Sequence, residues 1–529
     1  MASHIVPKPP HEFDAIVIGA GHNGLIAAAY LARAGMRTAV FERREIVGGA
    51  CVTEEIADAP GFRVSTGAAQ VGNLRPEIIA DLELVKYGFE LLLPDPLTVF
   101  PYTDGDFLAL WRDRAWTLDE IARFSAHDAK AVPAFFADCA TACDIIEPML
   151  YRPTPTSLHE VGQGFDEHGR SDLFHTLVIG SAADLLNTRF EADEVRAALG
   201  FTSTFGTNAG PSTEGTAYVL LHHLFGATSG ARGVAGYVRG GMGGLASALA
   251  AAATHQGAHI HTGIAVTDIL IEHEHAAGVV TSNGEEFRVP VIVSGADPVN
   301  TFKNLLGHEH VGTELLGSVD RISTRGVAAK VNCALDALPS FTQLPKNMTP
   351  ARVSIAPSLD YIEAAWREAD REGASRAPFM TVHMQSVVDS TLAPEGQHTL
   401  TCYAQYFPYV KQGTAADAEA ERHTIERHVL ATVAQFAPDL SRQIIGCEVM
   451  SAYDLETRFA MTGAHQFHGD MLSQQLFDHR PVTGCAGART LVDGLYLCSA
   501  GTHPGGCIWG APGQLAANAV IQDRITTAR

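Results

Sequence analysis

The alternation of apolar and polar residues is most regular near the start of the chain. Residues 15–18 form an apolar run that predicts a buried parallel strand. Residues 25–34 are rich in helix formers and stop at Gly35, and residues 38–41 form a second apolar run that ends at Glu42. The pattern predicts a strand, a helix and a second strand, which is the order of a βαβ unit.

The next part of the chain predicts short strands, followed by a block of helices. Residues 90–118 alternate and contain an Asp-Gly turn at 104–105, which predicts short strands and a hairpin. A capping-box-like sequence at 117–120 predicts the start of a helix, and residues 128–149 and 171–186 predict further helices. Because this helical block stands between sheet segments, we expect it to form a cap over a pocket.

Strand patterns return in the second half. A glycine-rich loop at residues 240–244 leads into an alanine-rich helix and a strand at 258–261, which we interpret as a crossover back to the first sheet rather than as a separate nicotinamide site. An Asn-Gly turn at 283–284 separates two further strands. Residues 325–478 contain strand-like runs and one predicted helix, at 415–436, which indicates a mixed sheet.

The first predicted turn carries a glycine spacing with a chemical meaning. Gly19 permits the tight turn, Gly21 allows a pyrophosphate to approach the backbone, and Gly24 allows the helix to lie close to the sheet. The start of the helix offers free N–H groups and the positive end of its dipole. Glu42 follows the second strand and can accept hydrogen bonds from both ribose hydroxyls. The stretch predicts a dinucleotide site.

Net charge, apolar runs and cysteine content indicate which partners and which cellular location the protein can have. The formal net charge of −22 argues against nucleic acid and against electrostatic docking on anionic lipid. No apolar run approaches the roughly 20 residues of a membrane span, and residues 1–11 are typical of a disordered tail rather than a signal peptide. Nine scattered cysteines fit a reducing, cytoplasmic location. Cys139 and Cys143 share a helical face and are interpreted as buried core residues.

Several motifs together resemble the phytoene desaturase-like flavoproteins. They are DAIVIGAGHNGL, FERREIVGGAC, GFRVSTGA, GAHQFHGDMLSQQLF, RPVTG and LYLCSAGTHPGGCIWGAPGQLAANA, and the resemblance covers nearly the whole chain. It implies an α/β fold: an FAD-binding, Rossmann-like domain of the glutathione-reductase type, a mixed-sheet substrate domain and an inserted helical cap. It also implies FAD as the cofactor, with its ring facing an apolar pocket.

The resemblance and the patterns divide the chain into six segments. The FAD-binding domain takes residues 12–90, 231–310 and 479–529, the substrate domain takes 91–118 and 311–478, and the cap takes 119–230. The expected FAD-binding residues are Gly19, Gly21, His22, Asn23, Gly24, Glu42, Arg43, Gly48, Gly49, Val266, Gly501, Gly505, Gly506 and Gly513. Many flavoenzymes hold the ribityl chain with an Asp after the last strand. Ser499-Ala500-Gly501 stands there instead, so we expect backbone N–H groups near Gly505 and Gly513 to replace it.

Two chemistries are rejected. Disulphide reductases carry a second cysteine a few residues after the first, and here Cys51 is followed at that spacing by Ile56. A dithiol relay needs both sulfurs. The histidines show no metal-ligand spacing such as HExxH, so no metal site is predicted.

Three histidines are the candidate catalytic residues. His503, between Thr502 and Pro504, is the first candidate to face the flavin, and the alternative is a structural histidine bonded to a backbone carbonyl. His468 and His465 come next, and Asp470 is expected to cap a turn. Trp509 could border the ring or belong to the core.

Three functions remain open. The first is an FAD-dependent dehydrogenase, desaturase or isomerase of a hydrophobic, isoprenoid-like small molecule. The second is an oxygen-using amine oxidase, which would frame an amine with aromatic residues, and the third is a flavin-binding regulatory protein without turnover. The electron acceptor is not identified by the sequence. An apolar patch on the cap leaves peripheral membrane contact open, and a homodimer is also open.

Overall fold

The first sheet joins the two ends of the chain. The computed structural model describes residues 12–527, and the tail predicted at 1–11 lies outside them. Five parallel strands run in the order Leu495–Leu497, Ile292–Ser294, Ala15–Ile18, Thr38–Phe41 and His259–His261. The predicted βαβ unit and the predicted crossover back to this sheet are confirmed.

Helices pack on one face of this sheet, and an antiparallel sheet packs on the other. Ala15, Val17 and Val40 pack against the helices on one face, while Ile16 and Phe41 pack on the other face against an antiparallel sheet. The helices are His22–Arg33, Met242–His255 and Ala511–Thr527, and the strands of the antiparallel sheet are Val266–Glu272, His275–Thr281 and Glu286–Arg288. This is the predicted flavoprotein α/β architecture.

A second, seven-stranded sheet forms the substrate domain. Its order is Ile444–Met450, Ala328–Leu335, His398–Gln405, Phe379–His383, Arg352–Ile355, Thr98–Pro101 and Phe107–Leu110. The sheet is mixed, because the pair of Arg352–Ile355 with Thr98–Pro101 is parallel and the others are antiparallel. Its apolar face packs against Ala415–Ala434.

The helical block covers the other face of the second sheet and shares one large apolar core with it. Its helices, short 3₁₀ and π turns included, are Arg114–Phe124, Ala126–Leu150, Leu158–Glu167, Ser171–Leu173, Phe174–Ile179, Ala182–Asn187, Asp193–Gly200, Phe201–Thr204 and Thr216–His222. The long apolar-periodic stretch predicted at 128–149 lies within the second of these.

Three sequence predictions in these regions are wrong. The first helix of the block begins before residue 117, because the Asp113 side chain caps it by accepting from the Ala115 N–H. The single helix predicted at 171–186 is interrupted at Gly180, whose backbone is extended, and Ser181 caps a new helix. A second long helix, Leu359–Glu372, capped by Ser358, lies in the region where one was predicted.

The remaining short elements connect these layers. They are the strands Thr53–Ile56, Ala59–Ser65, Leu91–Leu92, Tyr237–Val238, Pro481–Val482 and Cys485–Ala486, and the helices or turns Pro76–Asp81, Leu84–Tyr87, Asn300–Leu305, His308–His310, Thr313–Val319, Gln385–Val387, Ser390–Leu392, Leu440–Gln443, Ala452–Phe459, Thr462–Ala464, Ser473–Gln475 and Phe477–His479. Within residues 12–527, none of the helices is long and apolar enough to cross a membrane.

The first and last helices touch at a glycine, which gives a prediction. A Cβ on Gly513 would lie 2.2 Å from the Asn23 carbonyl oxygen. We expect Gly513→Ala to force the two helices apart, at the roughly 1–3 kcal/mol typical of overpacking, and to lower both the melting temperature and the retained FAD. Gly317→Ala is the control, since its new Cβ would meet only the tip of Arg321 at 3.8 Å. Equal melting temperatures for the two variants would contradict this packing.

Candidate functional site

The first strand, turn and helix form a cradle for a phosphate group. Helix His22–Arg33 begins after Gly21 without a side-chain cap, so its first N–H groups are free. A Cβ on Gly24 would lie 2.1 Å from the Gly19 carbonyl oxygen, so only glycine allows the helix to approach the turn this closely. A helix N-terminus open to a cavity is an anion site.

Unpartnered polar atoms at this helix start fit a bound nucleotide. His22 and Asn23 line the cavity, and the buried His22 Nε2 and Asn23 Oδ1 atoms have no hydrogen-bond partner. Burial lowers the pKa of His22 to about 4, so the ring is neutral at pH 7. Buried polar groups are costly without partners, and the phosphate and sugar groups of FAD would supply them.

Glu42 lines the cavity beside the start of the first helix. Its side chain is buried, its Oε2 accepts from the Ala20 N–H at 2.9 Å, and its Oε1 accepts from the Arg44 N–H at 2.9 Å. These bonds fix the carboxylate while leaving lone pairs for ribose hydroxyls. Arg43 and Val266 also line the cavity, and the Arg43 guanidinium donates to the Thr457 carbonyl at 3.1 Å.

The glycine doublet has two different roles. Gly48 pairs with Gly21, and a Cβ on Gly48 would lie 2.4 Å from the Cys51 carbonyl oxygen, so it serves packing. Gly49 lines the cavity, and its Cβ would lie 3.1 Å from the Gly21 Cα. The two loops therefore approach each other backbone to backbone. Cys51 is buried, and burial raises the pKa of its thiol to about 12.

The terminal loop reaches the cavity through residues that were not predicted. The four predicted glycines pack against protein instead: Gly501 against Pro298, Gly505 against Met471, Gly506 against Phe467 and Gly513 against Asn23. The loop lines the cavity with Ser499, Ala500, Cys507 and Ile508. The chain end thus lines the cavity, and the assignment of the four glycines to FAD stays a prediction.

Of the three candidate histidines, the structure brings His468 to the cavity. His503 is buried away from it, with its Nε2 atom 3.1 Å from the Leu150 carbonyl, which is the structural alternative to a catalytic role. His465 is buried, and its Nε2 atom lies 3.3 Å from Asp470 Oδ1. The Asp470 carboxylate also accepts a hydrogen bond from the Ser323 hydroxyl. The His468 Nδ1 atom is buried and unpartnered, and burial lowers the pKa of His468 to about 4.

A buried arginine that the sequence did not single out holds these loops together. Arg480 is almost fully buried and donates to five backbone carbonyls, those of Phe467, Gly469, Asp470, Gln475 and Ala500. Its guanidinium therefore joins the loop that carries His468 to the loop that follows the last strand. Burial lowers the pKa of Arg480 to about 10, so it remains charged at neutral pH.

One cavity of about 1150 Å³ connects the nucleotide cradle with the substrate domain. Ligand pockets usually measure about 300–1,000 Å³, so this volume is large enough for more than one ligand. Beyond the cradle its walls are the helical block and the second sheet. The sheet contributes Lys330, Arg352, Thr381, His383 and Tyr403. None of these five was predicted, although the alternation of polar residues along the strands was a visible signal.

Comparison with known proteins identifies the family. Residues 24–301 match the family described as "flavin containing amine oxidoreductase". The chain belongs to this family. It is accordingly an FAD-dependent oxidoreductase.

Relatives extend the similarity over the whole chain. Mouse pyridine nucleotide-disulfide oxidoreductase domain-containing protein 2 is 35% identical, over 97% of this chain and 94% of that protein. A subunit of limonene dehydrogenase from Castellaniella defragrans is 26% identical, over 97% and 95%. Among solved structures, a triple mutant of putrescine oxidase has a TM-score of 0.62 with 14% identity, over 97% and 99% of the two chains, which shows the shared fold.

The Glu42 geometry gives a prediction on cofactor affinity. Removing a charged acceptor costs roughly 1.5–3 kcal/mol per hydrogen bond, so we expect Glu42→Ala to weaken FAD binding by about tenfold or more. Titration of the apoprotein with FAD, followed by quenching of flavin fluorescence, measures this change. Glu45→Ala, at an exposed position three residues on, is the control. Equal affinities for the two variants would show that Glu42 does not hold the ribose.

Proposed function

We propose that the protein is a dehydrogenase or desaturase, or an isomerase, of a hydrophobic small molecule. The observation that carries the proposal is the apolar wall that the helical block presents to the cavity beyond the nucleotide cradle. Its residues are Val132, Pro133, Phe136, Ala137, Cys139, Cys143, Ala198, Leu199, Phe201 and Leu224. Such a wall binds an apolar molecule through the hydrophobic effect and keeps water from the reacting carbons. Similarity to a limonene dehydrogenase subunit supports a hydrocarbon-like substrate.

The cavity also contains a base suited to remove a proton. The Lys330 Nζ atom donates to the carbonyls of Ser65 and Gly67 at 2.6 and 2.5 Å. Burial lowers the pKa of Lys330 to about 7. A neutral amine keeps both donated hydrogen bonds and has a lone pair left, so at pH 7 and above Lys330 can accept a proton. Bound FAD supplies the acceptor for the hydride.

An amine substrate fits this cavity less well. The wall carries the Arg352 guanidinium, and a substrate ammonium placed beside this buried cation would be repelled. Trp509, the aromatic residue expected to frame an amine, is fully buried and stacks on Phe225 with ring centroids 5.5 Å apart. Tyr403 and Phe205 line the cavity but stack on each other at 4.7 Å.

Anaerobic reduction tests the proposed function. FAD-loaded protein is mixed without oxygen with cyclic and acyclic terpenoids, with saturated and unsaturated long-chain compounds, and with primary amines of equal length. We expect an apolar compound to bleach the flavin absorbance and the amines to leave it unchanged. Hydrogen peroxide formed on admitting air separates an oxidase from a dehydrogenase. Bleaching by amines alone would contradict the proposal.

The base gives a pH prediction. The depressed pKa of Lys330 means that its neutral form prevails above about pH 7, so the rate of flavin reduction should rise from pH 6 to 8 and then level off. Lys330→Met should lower the rate by roughly 10²–10⁴-fold and remove this pH dependence. Stopped-flow absorbance measures both, with Lys346→Met, an exposed position, as the control. A Lys330→Met variant with an unchanged pH profile would exclude Lys330 as the base.

A further inference from the structure

The face of the second sheet that lies toward the helical block is partly apolar, at Phe100, Leu108 and Phe379, and partly polar. The opposite face is apolar and packs against helix Ala415–Ala434. Strand register places the polar residues in two adjacent rows, Lys330–Tyr403–Thr381–Ser354 and Asn332–Thr401–His383–Arg352. All eight are buried. A buried polar face is costly unless it is fully partnered, so the partner of each group matters.

Arg352 is only partly partnered. Its side chain is only 9% exposed, its Nη1 atom donates to Gln70 Oε1 at 2.8 Å, and its buried Nε atom has no hydrogen-bond partner. No carboxylate of residues 12–527 lies within ion-pair distance of Arg352. Burial lowers the pKa of Arg352, but a guanidinium stays charged at neutral pH. The cavity wall therefore carries an uncompensated positive charge.

The neighbours of Arg352 add donors and no negative charge. Thr381 Oγ1 is buried without a partner and lines the same cavity. The His383 Nδ1 atom lies 2.9 Å from the Tyr237 hydroxyl, and burial together with Arg352 and Lys330 lowers the pKa of His383, so it stays neutral. A buried arginine edge beside an unpartnered hydroxyl matches the two oxygens of a carboxylate.

The two walls specify opposite ends of a ligand. The sheet supplies charge and donors at Arg352 and Thr381, while the helical block supplies apolar side chains such as Val132 and Leu199. We propose that the substrate is an amphipathic acid, whose carboxylate binds Arg352 and Thr381 and whose apolar body lies under the helical block. This inference rests on the function proposed above, because the acid is that enzyme's substrate.

Binding of saturated ten-carbon probes tests this assignment without turnover. FAD-loaded protein is titrated anaerobically with decanoate, decanol and decylamine, by calorimetry and by the change in flavin absorbance. We expect decanoate to bind roughly tenfold or more tightly than decanol or decylamine, since a charged hydrogen-bond pair is worth about one to two decades in affinity. Equal binding of the acid and the alcohol would overturn the proposal.

Variants of Arg352 and Thr381 test whether these residues cause the preference for decanoate. Arg352→Met should weaken decanoate about 10- to 100-fold and leave decanol within about threefold, and Arg352→Lys should keep part of the preference. Thr381→Val should weaken decanoate by about three- to tenfold. Arg112→Met is the matched control, because it removes an arginine from the exposed rim of the same cavity, where water screens the charge.

Measurements on the flavin distinguish carboxylate binding from the other role open to Arg352, which is to interact with the flavin itself. FAD content and melting temperature establish that each variant is folded. If Arg352→Met changes the flavin spectrum or reduction potential but keeps the carboxylate preference, Arg352 serves the flavin and the proposal fails. A protein that oxidises apolar compounds without preferring acids would refute this inference alone. A protein that prefers acids but is reduced only by amines would refute the dehydrogenase proposal instead.

Discussion

The site depends on the close approach of backbones that only glycine permits. A Cβ on Gly24 would meet the Gly19 carbonyl at 2.1 Å, and one on Gly513 would meet the Asn23 carbonyl at 2.2 Å. The first contact brings the helix onto the turn, and the second brings the end of the chain onto the same helix. With no side chains between them, the free N–H groups of the helix start face the cavity, and the loop after the last strand can reach its edge.

On this foundation the structure joins two surfaces of opposite character. Helices of the cap offer apolar side chains. The second sheet offers the Arg352 guanidinium, the Lys330 amine and the Thr381 hydroxyl, and no carboxylate among residues 12–527 pairs with Arg352. Arg480, in contrast, is more deeply buried, at 1% exposed against 9% for Arg352, and its two Nη atoms donate to five carbonyls and fix the loops. We propose that this difference separates a structural arginine from a ligand-binding one, so that one cavity would suit a mainly apolar substrate and still orient it.

Local features were predictable, and long-range side-chain directions were not. The strand, turn and helix at Ala15–Arg33 follow from glycine spacing and periodicity within a short stretch. His503 was expected at the flavin, but its ring direction is set by a carbonyl at Leu150, about 350 residues earlier. Lys330 and Arg352 are in ordinary alternating strands, and only the fold shows that their face borders a cavity. The assignment of the terminal glycines to FAD stays a prediction, because sequence does not distinguish a glycine needed for packing from one needed for a ligand.

The most direct test is a crystal structure of the protein reconstituted with FAD. We expect the pyrophosphate to lie at the start of helix His22–Arg33 and the ribose to contact Glu42. We also expect the ring to lie between residues 67–70 and Lys330, with the apolar part of the cavity open in front of it. A ring bound elsewhere, or a cofactor that leaves no space between the cap and the polar face of the second sheet, would contradict this arrangement.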